Sequence, residues 1–256
     1  MNDLTSGKPW KILLRFSLPM LISMIFQQMY NIADSVIAGQ LISVDALAAI
    51  GAAYPATVLF LAVATGASIG CSVNISLRFG QKDIAGVKSA VYTAFIALTV
   101  LALALTGLGF LVMKPLLRLI GTPTMIFHSS LLYLYVYLAG VLFIFLYNTA
   151  NAVFNALGDS RTPLVFLIFS SVLNVALDLL FVKFIRCSVM SLAWATLLAQ
   201  GVSSLLATFT LLHRIHGLKT DQPVRYFDKS LLPEMASVAV PSICQQSFVS
   251  VGIFMV

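Results

Sequence analysis

The sequence predicts an all-α polytopic membrane protein, made of a six-helix transmembrane lobe followed by one partial helix. Two observations lead to this fold class. Hydrophobic residues make up 60% of the 256-residue chain and charged residues only 9%, with a mean hydropathy of +0.99. A soluble domain carries about 25% charged residues, so lipid must solvate most of this one. In addition, the hydrophobic residues are gathered in runs of about 20 or more, the length that spans a bilayer as a helix.

Six complete apolar runs and an incomplete seventh follow one another along the chain. The predicted spans are 12–38, 55–77, 87–113, 127–156, 164–184, 189–212 and the incomplete 232–256. We therefore divide the chain into a six-helix lobe (1–212), a cytoplasmic linker (213–231) and the first, partial helix of a second lobe (232–256). In the turn before the fifth span, Gly158 suits the left-handed position that ends a helix, and Thr162 suits an N-cap.

The seventh run resembles a restart of the first. Val238-Ala-Val-Pro241 leads into it as Phe16-Ser-Leu-Pro19 leads into the first span, which is the pattern of an internal repeat. The chain ends inside apolar sequence with no closing polar flank, so we expect a truncated or partial product.

Lysine and arginine give the orientation. With the N-terminus inside, 11 of the 15 basic residues fall on inner segments and four on outer ones; the outer ones are Lys114, Arg118, Lys183 and Arg186. Because cytoplasmic loops are enriched in Lys and Arg, we predict a multi-pass protein of the cell (inner) membrane with a cytoplasmic N-terminus. The net charge of +6 then belongs to loops that flank the lipid bilayer and does not indicate a nucleic-acid partner.

Two carboxylates lie inside the apolar runs. Asp34 is in the first span and Asp178 in the fifth, and no Lys or Arg lies at a comparable depth in those spans. A charged side chain at the bilayer centre costs about 2.5–3.5 kcal/mol on insertion scales, and such residues usually serve ion or proton traffic. Packing does not recover this cost, so we interpret both residues as functional.

Polar side chains at helical spacing accompany the two carboxylates. Asn174 lies one turn before Asp178 and shares its face. Other spans carry further polar side chains on their own faces: Gln27, Tyr30, Tyr133, Tyr137, Asn148, Asn151 and Thr196. Such groups can be interhelical hydrogen-bonding contacts of about 0.6 kcal/mol each. Together with two carboxylates, however, they predict a cation-coupling site for H⁺ or Na⁺.

Pro19 is the candidate hinge. It removes a backbone donor from the first span, and that span carries Asp34. Apart from a possible Na⁺ at the coupling residues, no spacing of His or Cys predicts a metal, and no cofactor is expected.

Two motifs carry a family resemblance. Gln27-Gln-Met-Tyr30-Asn-Ile-Ala-Asp34, together with Gly158-Asp-Ser-Arg161-Thr-Pro163 followed by Asn174-x-x-x-Asp178, resembles multidrug and toxic compound extrusion (MATE) transporters. The chain is most similar to their prokaryotic branch of the DNA-damage-inducible protein F type. The resemblance implies twelve helices in two six-helix lobes around a central cavity. It also implies exchange of H⁺ or Na⁺ for organic, often cationic, drugs or toxic compounds.

Carried over by position, the resemblance implies a cation site of Asp34, Asn174, Asp178, Thr196 and an asparagine of the fourth span. The resemblance prefers Asn151 for that asparagine, and the depth of the residues in the membrane keeps Asn148 as well. Only the first lobe and one partial helix are present, so the C-terminal lobe that would complete the drug cavity is missing.

Three alternatives remain beside the antiporter. A lipid-linked-saccharide flippase of the same superfamily is disfavoured because the spans contain almost no Lys or Arg. A seven-span receptor with its N-terminus outside would reverse the charge bias. A non-transporting fragment is the third. No nucleophile–base pair or phosphate loop supports an enzyme.

Overall fold

The computed structural model describes residues 8–184 and 189–255, so the predicted outer Arg186 and the terminal Val256 lie outside it. The helices, in chain order, are α1 (Pro9–Val36), α2 (Val44–Gly80), α3 (Ile84–Leu119), α4 (Thr124–Ala156), α5 (Arg161–Phe184), α6 (Val189–His216) and α7 (Leu231–Met255). A π-helical segment, Ile37–Ile42, joins α1 to α2. Within the described residues, six helices, α1 to α6, are long and apolar enough to cross a membrane. The predicted fold class is confirmed.

Helices α2 and α4 form the centre of the lobe. Helix α2 packs against α3, α4 and α7, and α4 packs against α2, α3 and α6. The fully buried side chains of Phe145 and Phe154 belong to the main core between these helices. Helix α5 packs on α6, and α1 packs mainly on α5. Helix α1 is therefore a peripheral element that the rest of the lobe holds from one side.

Helix α7 contacts α2 through two glycines one turn apart. A Cβ on Gly66 would lie 2.6 Å from the Cα of Ile243, and one on Gly70 would lie 2.5 Å from the Cα of Ala239. Small residues at this spacing let the backbones of membrane helices approach closely. The contact places the seventh helix against the six-helix lobe.

Two helix starts differ from the predictions. Helix α2 begins at Val44, well before residue 55, because the Ser43 side chain accepts a hydrogen bond from the Ala46 N–H at 3.0 Å. In the turn before α5, Gly158 has the expected positive φ of 78°. The predicted N-cap Thr162 is wrong, because Asp159 accepts from the backbone N–H of Thr162 at 3.1 Å and from its hydroxyl at 2.6 Å. A carboxylate at this position satisfies donors that the helix itself leaves open.

The segment between α6 and α7 is shorter than the predicted linker. Helix α6 continues to His216 and α7 begins at Leu231, which leaves 217–230. This segment, called the linker below, lies against α3: Ser89 Oγ accepts from the Arg225 N–H and Thr93 Oγ1 from the Asp228 N–H, both at 3.0 Å. The end of the lobe that carries it is called the linker side. The division into lobes at 1–212 and 232–256 stays a prediction.

Candidate functional site

The two intramembrane carboxylates meet between α1 and α5. Asp178 is fully buried and Asp34 is half-buried, and their carboxyl groups are within hydrogen-bonding reach of each other. A hydrogen bond between two carboxyl groups requires that one of them carries the proton, because an ionised carboxylate only accepts. The pair can therefore hold one proton between two helices.

Asn174 ties both carboxylates to α6. In the amide orientation that gives both of its ends a partner, Nδ2 donates to Asp34 Oδ1 at 2.9 Å and to Asp178 Oδ2 at 3.0 Å. Its Oδ1 accepts from the Thr196 hydroxyl at 3.2 Å. Asn174 is 2% exposed, so these bonds are shielded from solvent. One amide thus connects side chains of α1, α5 and α6.

Two tyrosines complete the cluster. Tyr30 lies one turn before Asp34 on α1, and its hydroxyl is in hydrogen-bonding contact with Asp34 and Thr196. Tyr133, on α4, lies beside both carboxylates. We call Tyr30, Asp34, Tyr133, Asn174, Asp178 and Thr196 the carboxylate cluster. Four helices contribute to it, so a change in its charge acts on four helices at once.

The carboxylate cluster has no basic partner in the described part of the chain. The ion pairs found there are Arg78–Asp83, Arg78–Glu234, Arg214–Asp159 and Arg225–Asp228, none of which involves Asp34 or Asp178. Its charge must then be balanced by a proton or by a bound cation, since an isolated buried carboxylate is costly. Carboxylate, amide and hydroxyl oxygens suit a hard cation.

The other residues that the sequence analysis selects lie elsewhere. Asn148 accepts from Thr65 Oγ1 of α2 at 3.3 Å, and Tyr137 donates to the Thr57 carbonyl at 3.0 Å. Gln27 is exposed. Pro19 is buried within a continuous α1.

Asn151 is a separate case. Its Oδ1 is buried and finds no hydrogen-bond partner among residues 8–184 and 189–255. The structure therefore brings together Asp34, Asn174, Asp178, Thr196, Tyr30 and Tyr133, and leaves both fourth-span asparagines outside the direct contacts.

One feature beside the site was not predicted. The π-helical segment Ile37–Ile42 begins three residues after Asp34, and π-helical turns are often found at functional sites. Gly39, inside an otherwise apolar stretch, is the only local signal for it, and glycine alone does not identify a π turn.

Comparison with known proteins identifies the family. The MatE family model matches residues 19–180, and the model called Lipid II flippase MurJ matches residues 127–255. The chain is 29% identical over 251 residues to "Probable multidrug resistance protein YpnP" of Bacillus subtilis, covering 98% of this chain and 56% of that protein. It is 28% identical over 223 residues to "FAD transporter" of Shewanella oneidensis, covering 84% and 48%.

A solved structure agrees with the sequence comparison. The outward-facing conformation of a multidrug resistance MATE family transporter of the MOP superfamily superposes with a TM-score of 0.88 at 29% identity, covering 97% of this chain and 55% of that one. The chain thus spans about half the length of the relatives it matches. Because the MatE model covers well over half of it, the chain belongs to the MatE family of multidrug transporters.

Proposed function

We propose that this lobe couples H⁺ or Na⁺ entry to the export of organic, often cationic, compounds. The observation that carries the proposal is the carboxylate pair, tied by one asparagine and without a Lys or Arg partner in the described chain. Intramembrane carboxylates of this kind usually lie on ion or proton paths. The N-terminus lies in the cytoplasm and the protein in the cell membrane, an orientation supported by the positions of the Lys and Arg residues.

The cluster links ion binding to helix position. When one proton or one cation is bound, it holds the carboxyl groups of Asp34 and Asp178 together, and Asn174 bridges them. When the proton or cation leaves, two negative charges remain in a site of low dielectric and repel each other. Helix α1 is the element that can respond, because it packs mainly on α5. Pro19 is the hinge, since its missing N–H leaves one helix bond unmade.

The exported compound needs a cavity with two walls. This lobe supplies one wall, and a second six-helix lobe, whichever polypeptide carries it, supplies the other. The relatives are named for multidrug resistance and for FAD transport, so members of the family differ in cargo. The near absence of Lys and Arg in the spans favours organic cations over anions as the cargo here.

A flippase for lipid-linked saccharides is the second candidate. The match of the Lipid II flippase model to 127–255 favours it. That match excludes α1 and therefore Asp34, whereas the MatE match at 19–180 contains both carboxylates. Antiport therefore accounts for the two carboxylates better than flippase activity does.

Reconstitution tests the proposal. A two-lobe protein containing this lobe is placed in proteoliposomes, and uptake of a fluorescent organic cation is measured under an H⁺ gradient or a Na⁺ gradient, each imposed alone. We expect uptake with one of the two gradients and none without a gradient. A parallel sample holds the 256-residue chain alone, for which we expect membrane insertion without uptake. Uptake at the same rate with and without each gradient would refute coupling. Robust uptake by this chain alone would refute the requirement for a second lobe as the other wall of the cavity.

A further inference from the structure

Helices α4 and α6 run side by side in the same direction, in a register fixed by two glycines. A Cβ on Gly140 would lie 3.6 Å from Leu197, and one on Gly201 would lie 3.5 Å from Phe143. A residue of α4 is therefore level with the residue of α6 that is 57 or 58 positions later. Both helices end on the linker side.

Beyond this close contact, α4 and α6 carry further buried polar atoms: those of Tyr147, Asn151 and Thr208 lie on the faces that meet, and Ser203 lies on the face of α6 that carries Thr196, seven residues earlier. They lie between the carboxylate cluster and the linker side, and none has a hydrogen-bond partner among the described residues: Tyr147 Oη, Asn151 Oδ1, Asn155 Oδ1, Ser203 Oγ and Thr208 Oγ1. We call these five residues the α4–α6 seam. Tyr147 and Asn151 continue the stripe of Gly140 and Phe143 in helical steps of three and four. The register places Thr208 level with Asn151.

The missing partners are not a general property of these helices. Thr149 donates to the Phe145 carbonyl at 2.7 Å, and Ser204 donates to the Gly201 carbonyl at 2.9 Å. The hydroxyl of a Ser or Thr in a helix can thus donate to a backbone carbonyl one turn earlier. The hydroxyls of Ser203 and Thr208 make no such hydrogen bond in the described part of the chain. Tyr147 and Asn151 lie near each other, one turn apart, without a well-formed hydrogen bond.

A buried polar atom without a partner costs about 1–3 kcal/mol. Native proteins rarely keep several together; such groups are usually satisfied by ordered water that makes two to four hydrogen bonds. The seam offers donors and acceptors on both walls, which is the lining that buried water requires.

The seam has a defined beginning and end. At one end lies the carboxylate cluster, where Asp178 Oδ1 is also buried without a partner in the described chain. From Thr196, the helical rise places Ser203 about 10 Å and Thr208 about 18 Å nearer the linker side. At the other end, Arg214 Nη1 pairs with Asp159 Oδ2 at 2.6 Å, and the guanidinium lies over the Phe154 ring. This ion pair is partly exposed to solvent.

We propose that the α4–α6 seam holds a chain of ordered water that connects the carboxylate cluster with the linker side of the lobe. The geometry of the seam alone supports the water chain. Its role as a proton path rests on the proposed function. Along it, each water accepts one proton and releases another, so one proton leaves the carboxyl pair and one emerges beside Asp159 and Arg214. The pair could then discharge without passing its proton through the drug cavity.

Radiolytic hydroxyl-radical labelling of the 256-residue chain in lipid nanodiscs tests the proposal. X-rays generate radicals from bound water, so a buried tyrosine is oxidised quickly only if ordered water lies beside it. Tyr147 is the reporter and Tyr137 is the control: Tyr137 is more exposed than Tyr147, but its hydroxyl already donates to the Thr57 carbonyl. We expect Tyr147 to be oxidised several-fold faster than Tyr137. Equal or slower oxidation of Tyr147 would overturn the proposal.

A variant pair extends the test. Ser203→Ala with Thr208→Val removes two hydroxyls at nearly constant shape, so we expect several-fold slower oxidation of Tyr147, and an unchanged rate would count against the seam. The readout does not depend on transport. Rapid labelling of Tyr147 in a protein without ion coupling would therefore refute the proposed function and leave the seam, while slow labelling in a coupled protein would refute only the seam.

Discussion

Asn174 Nδ2 lies 2.9 Å from Asp34 Oδ1, which joins α5 to α1 through a single amide. The same nitrogen lies 3.0 Å from Asp178 Oδ2. The bridge makes the position of α1 depend on the charge of the carboxyl pair, because an amide N–H donates most strongly to an ionised oxygen. The Asn174 bridge therefore links ion binding to the position of α1, which packs mainly on α5.

Replacing Asn174 with Leu should weaken coupling. The change removes two hydrogen bonds to carboxyl groups, each worth about 1.5–3 kcal/mol when the acceptor is charged, while keeping the side chain similar in size. We expect gradient-driven uptake by the two-lobe protein to fall at least tenfold. Asn148→Leu is the matched control, since Asn148 contacts Thr65 of α2 and not the carboxylates; its effect should be much smaller. A larger loss in Asn148→Leu than in Asn174→Leu would contradict this assignment.

Replacing Gly70 with Ala should loosen α7 from α2. The new Cβ would meet the Ala239 backbone at 2.5 Å, and overpacking of this kind costs about 1–3 kcal/mol. We expect a lower melting temperature and faster protease cleavage in the linker. Gly51→Ala on the same helix is the control, because a Cβ there has no neighbour within 4 Å among the described residues, and alanine favours the helix. Identical melting and cleavage for the two variants would contradict the close α2–α7 contact.

Asp159 should give the lobe an acid-sensitive contribution to stability. Partial burial raises the pKa of Asp159, but hydrogen bonds from Thr162 and Arg214 outweigh it and hold that pKa below its ordinary value. The stabilisation is therefore fully present above the unfolded-state pKa of about 3.9 and is lost as pH falls through the lower folded-state pKa. Asp159→Ala should cost about 0.5–2 kcal/mol at pH 7 through the lost cap.

Thermal unfolding in detergent at pH 7 and at stepwise lower pH measures this difference. The gap between wild type and Asp159→Ala should narrow as the carboxyl group is protonated. Asp221→Ala, which changes an exposed carboxylate of the linker, controls for net charge. A gap that stays constant or widens on acidification would contradict the assignment.

The six spans and the inward position of the carboxylates follow from the sequence, because both depend on coarse properties. Bilayer thickness fixes the length of an apolar run, and the cost of burying Asp178 in lipid forces it into the protein interior. The contact of Asn174 with Asp178 follows as well, since residues four apart share a helix face.

The details that the sequence could not decide depend on local geometry. Residues such as Asn148 and Asn151 are three apart, so they differ by about 60° around α4, and depth in the membrane cannot decide which neighbour each one meets. Thr162 was wrongly predicted as the N-cap because the helix starts earlier, at Arg161, where the Asp159 side chain accepts from the first backbone N–H groups, and a helix start predicted from sequence can shift by one or two residues. The start of α2 at Val44 was missed because Pro55 was taken as the beginning of the span, whereas α2 continues through Pro55 and begins after the Ser43 cap.

Replacement of each carboxylate by its amide tests the central claim most directly. Asp34→Asn and Asp178→Asn keep the shape of the side chain and remove its titrating charge. One proton moving down one pH unit supplies about 1.4 kcal/mol, enough for about tenfold accumulation of a cation. In proteoliposomes of a two-lobe protein, both variants should insert and fold, yet lose this gradient-driven accumulation. Normal accumulation by both variants would show that the two carboxylates are structural.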